Sequence, residues 1–492
     1  MVSFVISLLA LVLGYVVYGA FVERVIDPDP NRMTPAVEKA DGVDFIVMPT
    51  WKVFMIQFLN IAGTGPIFGA IMGAKFGPAS YLWIVLGCIF AGAVHDYCSG
   101  MLSLRHGGVG LPELVGTYLG RRTKTVMLVF TVLLLLMVGA VFVYSPALIM
   151  GDIAGDGSRM SVMLWVGVIF LYYIVATLLP IDKIIGRIYP FFAGALLFMA
   201  LGLMVCLFIK WPSLPEIWNG LGGWTQKTGI ADQSIFPCLF ITIACGAISG
   251  FHSTQSPLMA RCLKNEKLGR PVFYGSMITE GMVALVWAAA ASWFFYDGGA
   301  QEVGISAGSA APAIVTAISK NWLGALGGIL ALLGVVAAPI TSGDTAFRSA
   351  RIIIADFLHL EQKSVAKRLY IAVPLFLGSA LLLWYNIADA NGFNTIWRYF
   401  GWSNQTLAVF TLWTITVYLV KNKGAAWYLI TLLPALFMTS VCTTFILVDK
   451  SGLGLSSALA PWIGIGTFVI SALLFYVWKG RCDAGAKVTD KQ

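Results

Sequence analysis

Two strings place polar side chains in the middle of runs otherwise apolar enough for a lipid bilayer. One is "ACGAISGFHSTQSP", Ala244 to Pro257, carrying Ser249, Gly250, His252, Ser253 and Gln255; the other is "NIAGTGPIFGAIMG", Asn60 to Gly73, carrying Asn60, Gly63, Thr64 and Gly65. Backbone groups at bilayer depth must find partners, so an unwound helix is tolerated only where it is buried in protein or lines a watery cavity. Two helices that unwind at one depth leave N–H groups free for an anion and carbonyls free for a cation or an ammonium group. These nine residues are the expected solute contacts. Glycines that merely let helices pack closely are the competing reading, but packing alone does not call for His252, Gln255 and Asn60 at these depths.

Ionisable side chains inside membrane spans are costly and are functional candidates by default. "GAVHDYCSG" holds His95 and Asp96, "SMITEGMVA" holds Glu280, and "APITSGDTAFRSAR" holds Thr341, Ser342 and Asp344. Asp96, His95, Glu280 and Asp344 are the expected coupling groups, and His252 is itself titratable near neutral pH. Thr341 and Ser342 offer hydroxyl oxygens to a hard cation such as Na⁺, helped by carbonyls from the Asn60 break. Each has a plainer alternative: Asp96 pairing with Arg105, Glu280 with Arg270, Asp344 with Arg348, and His252 donating to a carbonyl. His95, Cys98 and His106 admit a metal reading, but no HxxxH or CxxC spacing supports it, and no metal or cofactor is expected. In "FGWSNQTLA", Trp402, Asn404 and Gln405 could close over a solute, with an interfacial aromatic anchor as the alternative.

The elements that position these groups are helices in a membrane. Of 492 residues, 58% are hydrophobic and 11% charged, about half the charge of an ordinary soluble domain. That composition excludes most soluble-enzyme and nucleic-acid readings. The eight cysteines show neither a disulfide framework nor a zinc module. Stretches of about 20 apolar residues number thirteen, over 2–22, 51–73, 80–102, 124–150, 161–180, 189–210, 234–260, 272–296, 323–345, 369–388, 395–420, 427–447 and 457–478. Alternate loops then hold 25 of the 32 basic residues, which places the C-terminus in the cytoplasm and the N-terminus outside. The same bias accounts for the net charge of +8 without an anionic partner.

The two glycine-rich strings fall in the second and seventh spans, five apart, so two groups of five would run through the membrane in opposite senses, as in many secondary transporters. The expected fold class is an all-α integral membrane protein of about thirteen transmembrane helices, with a 5+5 inverted-repeat core and discontinuous helices. The segments are an extra helix and cytoplasmic loop (1–50), a first repeat (51–210), a second repeat (211–420), and two extra helices with a tail (421–492).

The strings "GTGPIFGAIMG", "AGAVHDY", "ACGAISGFHS", "TSGDTAFRSAR" and "FGWSNQTLA", in that order, resemble the carbon starvation protein A family of bacterial inner-membrane transporters, from about Trp51 to Leu407. The resemblance implies uptake of peptides, or of pyruvate in some members, coupled to protons, and a fold of the amino acid/polyamine/organocation superfamily (LeuT-like). Larger members carry extra C-terminal spans, many have Gln where His95 stands, and "STQSPLMAR" differs from the longer members. The expected function is cation-coupled import of a small organic solute (short peptide, amino acid or pyruvate) by alternating access, with H⁺ or Na⁺ as the coupling ion. The expected setting is multi-pass in the inner membrane, with a small-molecule solute and the lipid bilayer as partners, no nucleic acid, and no enzymatic activity. A channel and a membrane-embedded metal-dependent enzyme are the alternatives; oligomeric state is open.

Overall fold

Long apolar runs with few breakers fold into long helices, because a helix satisfies every backbone group without outside help. A computed structural model describes residues 1–154, 157–178, 181–362, 364–389, 392–424 and 426–489, and all their regular structure is helical. Lys363 and Lys491, counted above among the cytoplasmic basic residues, lie outside the described residues, as do the last two positions of the span expected at 161–180.

In chain order the main helices are α1 (Val2–Ile26), α2 (Thr50–Ile61), α3 (Gly65–Ala74) and α4 (Ala79–Arg105). Then come α5 (Leu111–Leu119), α6 (Arg121–Ala154), α7 (Arg159–Leu178), α8 (Ile181–Lys210), α9 (235–242) and α10 (His252–Ala260). The remainder are α11 (Glu266–Tyr296), α12 (Ala311–Leu358), α13 (Val365–Ala388), α14 (Gly392–Asn422), α15 (Leu429–Val448) and α16 (Ala460–Thr489). Among the described residues nine helices are long and apolar enough to cross a membrane, and α2 with α3, bent by 54°, makes a tenth candidate. Helices α12 and α14 and the short arms α9 and α10 are not among those ten.

Burial sorts the helices. α4 and α11 are each 83% buried over their most apolar stretch, whereas α16 is only 17% buried. The first two are therefore central, and α16 presents its apolar surface outward, as a lipid-facing helix does. The largest buried cluster wraps α1–α4, α8, α11 and the two broken segments, and two smaller clusters join α6 and α12 to α13 and its neighbours.

One end of this bundle is closed by a buried ionic knot. Asp44, in the loop before α2 and 4% exposed, lies 3.6 Å from Arg348 and 3.5 Å from Arg351, both on α12. The loop is pinned by Ile46 and Met48, whose N–H groups donate to the carbonyls of Arg261 and Cys262. Arg261 in turn reaches Asp356 at 3.3 Å. Burial alone would raise the Asp44 carboxyl; the guanidinium groups of Arg351, Arg348 and Arg261 hold it below its ordinary value. A carboxylate lowered this way stabilises the fold fully above its unfolded value of about 3.9 and loses that contribution as pH falls through the lower folded value. Asp44→Asn is therefore expected to cost about 3–5 kcal/mol at pH 7. Thermal melts in detergent should show the gap between variant and parent closing below pH of about 4. Equal melting at pH 7 would remove the knot from the stability account.

Candidate functional site

Helix α2 leaves helical geometry at Ala62 (ψ 44°), and α3 begins at Gly65 with Pro66 in its first turn, where a missing N–H costs nothing. The second break is longer. α9 stops at Thr242, Ile243 turns out of the helix (ψ 82°), and the chain stays non-helical to Phe251, through Gly246 at φ +90°. His252 opens α10, so "HSTQSP" is helical, with Pro257 inside the helix. The expected interruption over 244–257 is thus narrower: the unwound part is 243–251. Short-range turns explain it, since the hydroxyls of Ser253 and Thr254 donate back to the carbonyls of Gly250 and Phe251 and close the first turn of α10.

The two breaks touch. A Cβ added to Gly65 would lie 2.3 Å from both Cβ and Sγ of Cys245, and one added to Gly246 would reach 3.8 Å from the Pro66 Cα. Close packing is also a purpose of these glycines: a Cβ on Gly92 of α4 would lie 2.2 Å from the Ala247 carbonyl oxygen. The freed backbone of the second break is held by neighbours. Asn404 on α14 accepts from the Phe251 N–H at 2.7 Å and from the Ser249 hydroxyl at 3.1 Å. The indole N–H of Trp83 donates to the Ile243 carbonyl, and Gln405 donates to that of Phe240.

Beside this junction runs a buried chain of ionisable groups. Asp96 and His95 stand on α4, His252 at the start of α10 and Glu280 on α11, all fully buried. One Asp96 oxygen meets His95 Nδ1 at 2.8 Å, the other meets His252 Nδ1 at 2.8 Å, and His252 Nε2 lies 3.4 Å from Glu280. The plainer pairings are absent: Arg105 goes to Glu266 and Arg270 to Glu23. The proton count is then restrictive. A neutral imidazole has one N–H and one lone pair, so His252 cannot donate to both Asp96 and Glu280. Both contacts are satisfied only when one further proton sits on the His252 ring or on a carboxyl group. Without it a lone pair faces a carboxylate in a dry interior, which is strongly unfavourable.

The comparisons with known proteins agree with a membrane carrier. The model of a family described as carbon starvation protein CstA matches residues 1–151, 148–318 and 289–445. The chain belongs to the CstA family. Among its relatives, an uncharacterized membrane protein of Haemophilus influenzae is 45% identical, the alignment covering 63% of this chain and 95% of that one. The peptide transporter CstA of Escherichia coli is 27% identical, with 95% of this chain and 82% of that one covered. The pyruvate/proton symporter BtsT of Escherichia coli is 26% identical, with 90% and 80% covered. A crystal structure of the Eremococcus coleocola manganese transporter aligns with TM-score 0.55 at 12% identity, covering 90% of this chain and 99% of that one. The last likeness concerns the fold alone. Together they support a membrane transporter.

In this CstA-family chain the remaining candidates divide by what they touch. At the first break, both amide atoms of Asn60 and the hydroxyl of Thr64 are buried with no hydrogen-bond partner among the described residues, and so is the side-chain carbonyl oxygen of Gln255 on α10. Ser253 accepts from Thr411, and Ser342 donates to the Leu59 carbonyl at 3.1 Å, beside Gly63. Thr341 donates within its own helix. Asp344 accepts from Tyr189 at 2.6 Å, while Arg348 reaches toward Asp44 and donates to the Ala176 carbonyl. Trp402 donates to the Cys442 carbonyl on α15, and Asn404, as above, supports the backbone of the second break.

The metal-type donors that converge are Cys245, His252 and Glu280, whose atoms lie within 4.8 Å of one another; a metal ion there would need the Nε2 lone pair of His252, which could not then hold a proton. His106, of the trio read from sequence, is instead engaged by the Leu102 carbonyl and the Tyr118 hydroxyl. Two residues escaped the sequence reading. Gln57, whose amide atoms are also buried without partners among the described residues, precedes Asn60 by three positions, a helical-face signal. Cys245, beside Gly246, carried no signal beyond its place in the string.

Proposed function

We propose that this chain imports a small organic solute (a short peptide, an amino acid or pyruvate) by proton-coupled symport with alternating access. One observation carries the reading: a single imidazole, His252, between two buried carboxylates at the meeting point of two unwound helices. A proton gained there satisfies both contacts and ties α10 to α4 and α11; a proton lost leaves α10 facing uncompensated charge. The two conformations of the carrier then differ in proton affinity, and a ligand shifts an equilibrium by its differential affinity for the two states. The solute shares the site through Asn60, Thr64, Gln255 and the backbone of Gly63, Gly65, Ser249 and Gly250. On this reading the thirteen stretches are spans, ten of them forming a 5+5 inverted repeat, with the N-terminus outside and the C-terminus in the cytoplasm. The names of the peptide and pyruvate/proton relatives support the solute class and the ion.

Sodium coupling is a second reading, favoured by the Ser342 hydroxyl lying on the Leu59 carbonyl at the first break. Uptake of labelled pyruvate, dialanine and alanine into proteoliposomes, under proton and sodium gradients imposed separately, decides between them. A proton gradient alone is expected to drive accumulation of at least one of the three. Accumulation under sodium alone would transfer the coupling to Ser342, and none under either gradient would defeat the symport reading.

A further inference from the structure

A cavity of about 650 Å³ opens at the end of the bundle away from the Asp44 knot. Its wall includes Phe68 from α3, Thr242 from α9, Trp397 and Arg398 from α14, and Lys75. It thus lies between the arms that both breaks send toward this end. α12 spans the molecule from it: the wall takes in Ala311, the first residue of α12, whose far part carries Arg348 and Arg351.

Most charges at this mouth are already matched. Arg398 is 3.8 Å from Asp449 and Lys450 is 3.3 Å from Asp232. Lys75 differs. It is only 5% exposed, and its ammonium makes no ion pair or hydrogen bond among the described residues; its one charge-related contact is the Phe295 ring, 5.3 Å away. Its backbone is fixed, because the Tyr296 and Thr228 hydroxyls both donate to the Lys75 carbonyl, at 2.9 and 3.1 Å. An ammonium held this deep at the wall of an open cavity, with only a ring face beside it, lacks its natural complement, an anion. Burial already pulls its pKa below the ordinary lysine value, a shift that an arriving carboxylate opposes.

We propose that Lys75 is the anion-recognition residue of this vestibule, receiving the carboxylate of the solute before it passes to the broken helices. This rests on the importer reading above and narrows it: the carboxylate is the required group, shared by pyruvate, amino acids and peptides, whereas an ammonium group is not. Positive charge focused in a low-dielectric cleft also raises the local concentration of anions.

Equilibrium binding of labelled pyruvate and labelled dialanine to purified protein tests this without any gradient, so its outcome is separate from that of the coupling. Lys75→Gln is expected to weaken binding of the acids by about tenfold or more, as loss of a charge-assisted contact does, with Lys75→Arg restoring most of it. In uptake, KM should rise with the maximal rate little changed. Against the unmodified protein, pyruvamide and dialanine amide should compete at least about tenfold more weakly than the acids, a comparison that stands even where the variant fails to fold. Acid and amide competing equally, or Lys75→Gln binding the acids as tightly as the parent, would overturn the assignment. Binding with the expected discrimination but no gradient-driven uptake would sink the symport reading and leave Lys75 in place.

Discussion

Asp96→Asn is expected to cut proton-driven uptake by about a hundredfold or more while leaving solute exchange within several-fold of the parent. The amide keeps the shape of the carboxylate but not its charge, and two imidazoles depend on it, each at 2.8 Å. Two charge-assisted hydrogen bonds become neutral ones, a combined loss of about 3 kcal/mol, or two powers of ten. More importantly, the proton requirement at His252 is relieved, because the amide NH2 can donate to Nδ1, leaving the one N–H of a neutral ring at Nε2 for Glu280. Exchange of solute for solute needs no net proton movement and so survives. Unchanged driven uptake in Asp96→Asn would remove this residue from the coupling.

Gly65→Ala is expected to abolish transport outright, and Cys245→Gly, introduced alongside it, to restore a measurable part. The new Cβ would fall 2.3 Å from Cys245 Cβ and Sγ, well inside any tolerable contact, and Cys245 sits on an unwound segment already fixed by Asn404 and Trp83. Pushing it away moves the second break off the first. Cys245→Ala should not rescue, because its Cβ remains in place; only removal of that carbon makes room. The pattern of one failed and one successful suppressor is what distinguishes direct contact between the breaks from a general loss of stability. Uptake measured across the three variants and the parent reads it directly. Full activity in Gly65→Ala would mean that the two unwound segments do not meet in the working carrier.

The sequence made much of this legible for identifiable reasons. Apolar runs fix where helices lie, and a lone imidazole or carboxylate inside one marks itself as costly, so His95, Asp96, His252 and Glu280 stood out individually. What the sequence did not carry was that Asp96 and Glu280 approach opposite nitrogens of one histidine, because residues 156 and 28 positions apart meet only through packing at Gly92 and its neighbours. The extent of the second break was misjudged for a similar reason. "STQSP" is polar enough to suggest loop, yet its hydroxyls cap a helix, while the apolar "IACGAI" unwinds because α14 supplies the partners its backbone needs. Asn404 and Trp402 drew notice as polar and aromatic residues at a span's start; their hydrogen bonds to main-chain atoms of other segments give them supporting positions. Lys75 passed unremarked because a single lysine at the end of a span is ordinary until its surroundings show that nothing neutralises it.

The most direct test of the proton site is proton movement itself. With a pH-sensitive dye sealed inside proteoliposomes and no proton gradient imposed, addition of external pyruvate or dialanine should acidify the interior as the solute enters, and Asp96→Asn, in liposomes preloaded with unlabelled solute, should exchange it for external solute without that acidification. Solute entry into parent liposomes with no accompanying proton would contradict the account.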